Sequence, residues 1–133
     1  LYFGVIHPEV RADREKLTKM AYELELLLET DTPEEKDVFL NILSKFLAIV
    51  GKPFDADSFS FEDDGYLQSL YKFAEEVSRM PQVKQSKAVR GSSHAVYINR
   101  AWFGLYQMLS DLNAEISANN HWFGTIDLDF IDK

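Results

Sequence analysis

Apolar residues recur at helical spacing in four stretches of this chain. In the first, Leu17, Met20, Ala21, Leu24, Leu27 and Leu28 form one stripe, with Lys16, Lys19, Glu23 and Glu25 on the opposite face. That pattern predicts a surface helix with its stripe turned inward, capped by Asp13 and ended by Thr30 and Asp31. The second begins at Thr32-Pro33-Glu34-Glu35, where a capping threonine, a first-turn proline and a glutamate three residues on make a capping box. Its apolar residues, from Val38 to Val50, surround most of the circumference in the second half. This predicts a largely buried helix, with Gly51 as the glycine after its C-terminus and Pro53 just beyond.

Residues 54–64 change character. Phe54, Phe59 and Phe61 are interleaved with acids and serines, which predicts an extended connector that pins aromatic rings on the helices. A third helix is predicted over about 66–79, with Leu67, Leu70, Tyr71, Ala74 and Val77 as its stripe and Pro81 as its stop. Gly91-Ser92-Ser93 then introduces a fourth helix, whose Ile98, Trp102, Leu105, Leu109 and Leu112 share a face widened by Tyr97, Ala101 and Met108. So wide a face predicts a central helix, with Asn113 as its C-cap. The expected fold is all-α: four main helices in a compact bundle, one domain over 1–133, with 117–133 as an irregular or edge-strand tail.

Composition narrows the function classes. With 133 residues, 46% of them hydrophobic and 27% charged, the chain is long enough for a core and has the balance of a globular protein. Its net charge of −8 argues against a general nucleic-acid or anionic-membrane surface. The chain has no cysteine, which removes disulfides, thiolate metal sites and thiol nucleophiles and fits a cytoplasmic location. No apolar run approaches the roughly 20 residues of a membrane span.

Candidate chemistry is sparse. His7, His94 and His121 are far apart and lack metal-ligand spacing. The acids of 55–64 lack the internal glycine and closing glutamate of a calcium loop and read as a solvated connector. No metal site and no catalytic residue is therefore assigned. Residues 81–100 contain Lys84, Lys87, Arg90 and Arg100 and no acid. Within them, Lys87, Arg90, Gly91, Ser92 and Ser93 have the makings of an anion site at a helix N-terminus, although a serine that merely caps the helix accounts for the same residues. Arg100, beside Trp102, is expected to form a structural ion pair with an acid on a neighbouring helix. No phosphate-binding glycine loop, nucleophile elbow or kinase catalytic loop is present.

Residues 92–116, SSHAVYINRAWFGLYQMLSDLNAEI, resemble the C-terminal helical region of the ABC1 family, the atypical kinase-like proteins also called AarF, UbiB or ADCK. The similar positions are Tyr97, Ile98, Asn99, Arg100, Phe103, Gly104, Leu105, Tyr106, Leu112 and Ala114. Upstream, 13–17, 51–54 and 59–61 resemble family segments in the same order, so the likeness covers about 8–121. Arg100, Trp102 and Gly104 are read as structural on this basis. The resemblance implies the non-catalytic end of a kinase-like large lobe, supporting an ATP-binding kinase or ATPase linked in several members to ubiquinone-type lipid metabolism.

The family's Lys-x-Gly-Gln motif, nucleotide loop, metal-binding Asn and catalytic Asp have no counterpart here, so ATP and Mg²⁺ are implied for the parent alone. Leu1-Tyr2-Phe3-Gly4 is not its Asp-Phe-Gly, because a phenol does not replace a carboxylate on Mg²⁺. The expected partner is the rest of a longer, membrane-associated parent, of which this chain is a C-terminal piece, or a second copy through exposed apolar faces. The alternative is a free-standing helical protein-interaction module.

Overall fold

The computed structural model describes residues 4–62, 64–86, 90–91 and 93–117. A 3₁₀ turn at Gly4–Ile6 leads into α1 (Pro8–Ala12), α2 (Arg14–Glu23), α3 (Pro33–Val50), α4 (Lys52–Asp55), α5 (Asp64–Arg79), α6 (Pro81–Gln85) and α7 (Ser93–Asp111). The short strands β1 (Phe59–Ser60) and β2 (Glu115–Ile116) pair antiparallel, Phe59 with Ile116 and Ser60 with Glu115. The fold is all-α, and its four long helices occupy the four stretches that the apolar spacing marks out.

Starts follow the sequence closely. Asp13 Oδ1 accepts the Glu15 and Lys16 backbone N–H groups at 2.9 and 3.1 Å. Thr32 and Glu35 form the reciprocal box, Glu35 N–H donating to Thr32 Oγ1 at 3.2 Å and Thr32 N–H to Glu35 Oε2 at 2.8 Å. Each satisfies donors that the first helical turn leaves without partners.

Ends are where structure and expectation part. α2 stops at Glu23, with Glu25 in the left-handed region at φ 58°. Leu26 N–H donates to Ala21 O at 2.8 Å and Glu25 N–H to Tyr22 O at 2.9 Å, the paired bonds of a Schellman motif. Leu24 and Leu27 are buried all the same, from the turn rather than from a helix. α7 ends the same way around Asn113 at φ 49°, with Ala114 N–H on Leu109 O at 2.9 Å. Gly51 differs again. Its φ is −77°, so it is not a left-handed terminator. A Cβ there would lie 2.7 Å from Arg11 Nη1, and the glycine gives the Arg11 side chain room to reach Asp55 and Ile6 O.

Two apolar clusters form the core. One gathers Val10, Leu17, Met20, Ala21, Leu24 and Leu27 of the N-terminal half against Leu40, Leu43 and Leu47 of α3. The other joins Val50, Phe61, Tyr66, Leu67, Leu70 and Tyr106, and Phe46 and Trp102 pack against both. The connector pins its rings as expected: Phe61 is fully buried, with ring centroids 5.0 Å from Phe59 and 5.3 Å from Tyr106.

α7 is not central. Its inner face, Trp102, Phe103, Tyr106 and Leu109, packs on the second cluster. Leu105 and Met108 are more than half exposed, and Tyr97 and Leu112 are each 71% exposed. At 100° per residue these four fall within an arc of about 80° that flanks the packed face, Leu105 standing only about 40° from Leu109. The apolar arc of the helix is wider than the part that the described bundle covers. Residues 118–133, including the predicted edge strand, lie outside the described residues, and no described helix is long and apolar enough to cross a membrane.

Candidate functional site

Between the two clusters lies a cavity of about 610 Å³, walled by α3, α5 and α7 and reaching Val5, Leu24 and Arg90. Phe39, Ile42 and Phe46 come from α3, Phe73, Ala74, Val77 and Ser78 from α5, and Ile98, Asn99, Trp102 and Phe103 from α7. Ile6, Leu47, Leu70 and Tyr106 are among its deeply buried walls, whereas Ala74, Ser78 and Asn99 are exposed and form its rim. The volume falls within the 300–1,000 Å³ of small-molecule sites. The cavity is open to solvent along that rim, so it is an accessible apolar cleft and not a sealed void.

One charged node stands at its edge. Arg90 donates from Nη2 to Asp31 Oδ1 at 2.7 Å and from Nη1 to Asp31 Oδ2 at 2.8 Å and to Leu26 O at 3.1 Å. Its guanidinium lies 3.6 Å from the Phe39 ring centroid. The two side chains are 13% and 4% exposed. The Arg90 hydrogen bonds hold the Asp31 carboxyl below the usual aspartate range, against the upward push of burial and with help from the Leu28 N–H.

Two phenols line up beyond it. Tyr66 donates to Ile49 O at 3.0 Å and Tyr106 to Val50 O at 2.9 Å, and burial pushes both phenols above their ordinary range.

The expected anion site is not assembled by the residues described. Arg90 faces inward onto Asp31, and Gly91 N–H donates to Glu25 O at 2.8 Å. Lys87 and Ser92 lie outside the described residues, and Ser93 opens α7. The structural residues divide as well. Trp102 packs edge-on to Phe54 and Tyr106 at 6.1 and 6.2 Å. Arg100 is exposed on α7 and joins none of the ion pairs among the described residues, because it lies off the packed face. Gly104 is exposed, and a Cβ there would meet nothing within 4 Å, so no close packing requires a glycine. His7 caps α1 by accepting Glu9 N–H at 3.2 Å, and His94 is exposed on α7. Among the described residues no group of acids and histidines is placed to hold a metal ion.

Sequence reasoning missed the cavity and the Asp31–Arg90 pair. A cavity wall uses the same residue types as a core. The available signal was surplus apolar residues, since Phe39, Phe46, Phe73 and Phe103 exceed what four amphipathic stripes need. The pair spans 59 residues, with no local spacing to announce it.

No protein-family model, no curated protein and no solved structure matches this chain. The class defined by fold and site is an all-α domain with an open apolar cavity between its helices and, among the described residues, exposed apolar side chains along its last long helix.

Proposed function

We propose that this chain is a non-catalytic helical domain that supports the ATP-binding part of an ABC1-type kinase-like protein. The observation that carries the reading is the outer stripe of α7, Tyr97, Leu105, Met108 and Leu112. A helix whose apolar arc extends beyond its packed face is stable in water when that extension is covered as well. This helix is also the segment on which the family resemblance rests, so the body that covers its outer side is the rest of the kinase-like lobe. The charged pairs with buried members, Arg90–Asp31 and Arg11–Asp55, tie segments of this chain to one another. Both are put to scaffold use.

Phosphoryl transfer needs a phosphate cradle, metal ligands and a base held together, and on this reading the parent supplies all three. Titrating the isolated chain with Mg-ATP is expected to give no saturable heat, and tight binding would overturn the proposal. The reading frame upstream of Leu1 provides the second test, since a Lys-x-Gly-Gln segment followed by a catalytic loop and Asp-Phe-Gly is expected there. A free-standing interaction module would use the same α7 stripe, and an upstream frame without those motifs would favour it.

A further inference from the structure

The cavity lies on the inner side of α7, away from the stripe just discussed, and the scaffold reading gives it no role. We propose that it binds one neutral, single-chain amphiphile, an uncharged head on a linear hydrocarbon tail, of the monoacylglycerol class. Three observations specify that chemistry. The first is size: at the roughly 30 Å³ that a water-sized group takes in a liquid, 610 Å³ accommodates ~20 non-hydrogen atoms.

The second is the gradient of polarity. The depth is aliphatic and aromatic, at Leu43, Leu47 and Leu70, and the exposed rim carries two uncharged hydrogen-bonding side chains, Ser78 and Asn99. Ser78 Oγ donates to Glu75 O at 2.7 Å and keeps its lone pairs for an incoming hydroxyl.

The third is charge. Among the described residues no acid lines the cavity, so a cationic head finds no counter-ion there. The cation among its described lining residues, Arg90, is held bidentately by Asp31. An anionic head would have to displace Asp31 and leave a nearly buried carboxylate unpaired. A neutral head meets neither obstacle.

The test uses the full chain carrying Trp122→Phe, which makes Trp102, on the cavity wall, the sole tryptophan. Titration with a monoacylglycerol brominated along its C14 tail, kept below its aggregation concentration, should quench that fluorescence saturably at one molecule per chain. Ala74→Phe, which puts a ring at the rim, should weaken binding at least tenfold, with Val77→Phe serving if the first variant loses its helical circular dichroism. The matching brominated C14 carboxylate should bind at least tenfold more weakly, and Leu105→Ser on the outer stripe should change affinity less than twofold.

Absence of saturable quenching overturns the proposal, as does a folded cavity-filling variant that binds normally. Equal binding of the carboxylate overturns the neutral-head assignment. None of these results bears on whether α7's outer stripe docks onto a kinase-like body, so the two proposals fail separately.

Discussion

Glu25 shows how one residue can end a helix that its neighbours would continue. Leu24, Leu27 and Leu28 extend the stripe of α2, yet Glu25 adopts a left-handed conformation that costs a residue with a Cβ about 1–2 kcal/mol. The cost is offset locally by the two Schellman bonds and by the Gly91 N–H on its carbonyl. Glu25→Gly removes the strain and keeps all three bonds, so it should stabilise the fold by ~1 kcal/mol in urea denaturation.

A few residues on, Asp31 and Arg90 make the strongest single link between the N-terminal half and the segment before α7. Breaking a mostly buried pair from one side leaves the other charge uncompensated. Asp31→Asn and Arg90→Met should therefore each cost ~3 kcal/mol, and the double variant less than their sum by ~2 kcal/mol. The pH dependence has a definite sign. Because the Asp31 carboxyl titrates lower in the folded chain, its contribution is whole above about pH 4 and is lost as acid protonates it. Asp31→Asn should flatten that part of the acid limb.

Among the elements, α3 holds the others together, through carbonyls that its own geometry leaves unused. The last four C=O groups of a helix have no partner within it. Tyr66 at the start of α5 and Tyr106 on α7 take two of them, Ile49 O and Val50 O, and so fix three helices at one point. Tyr66→Phe and Tyr106→Phe should each cost ~1 kcal/mol in denaturation experiments, the net worth of one such bond. Both phenols titrate above the ordinary tyrosine range, so their stabilisation is complete below about pH 10 and falls as alkali ionises the unfolded chain first.

The same element shows what was legible in the sequence. The start of α3 was readable because a capping box is local, four residues whose bonds close on one another. Its end falls at Gly51 as the sequence indicates, but the reason for the glycine is Arg11, forty residues away and invisible to any spacing rule. The end of α2 was misread because a glutamate at a left-handed position gives no compositional warning. The sequence marks α7 as central because periodicity counts apolar positions without saying how many of them the chain itself will cover. Arg90's role was hidden for a related reason: its partner, Asp31, comes from a distant turn.

At the scale of the whole molecule, two forces compete over α7. Its outer stripe favours contact with another apolar surface, while a net charge of −8 on each copy opposes contact between copies. The repulsion acts through solvent and is screened over about 8 Å at physiological ionic strength, whereas apolar burial scarcely depends on salt at these concentrations. Self-association of the isolated chain should therefore strengthen as salt rises from about 0.01 to 0.5 M, the reverse of an assembly held by ion pairs.

Sedimentation velocity at the two salt concentrations measures this directly. Leu105→Ser with Met108→Ser should hold the chain monomeric at both, and should leave the circular dichroism unchanged because both side chains are more than half exposed. A native chain that stays monomeric in high salt would mean that the stripe is too small to hold two acidic copies. A partner of opposite or lower charge would then be required, and the kinase-like body proposed for that surface would have to present a neutral or basic apolar patch to it.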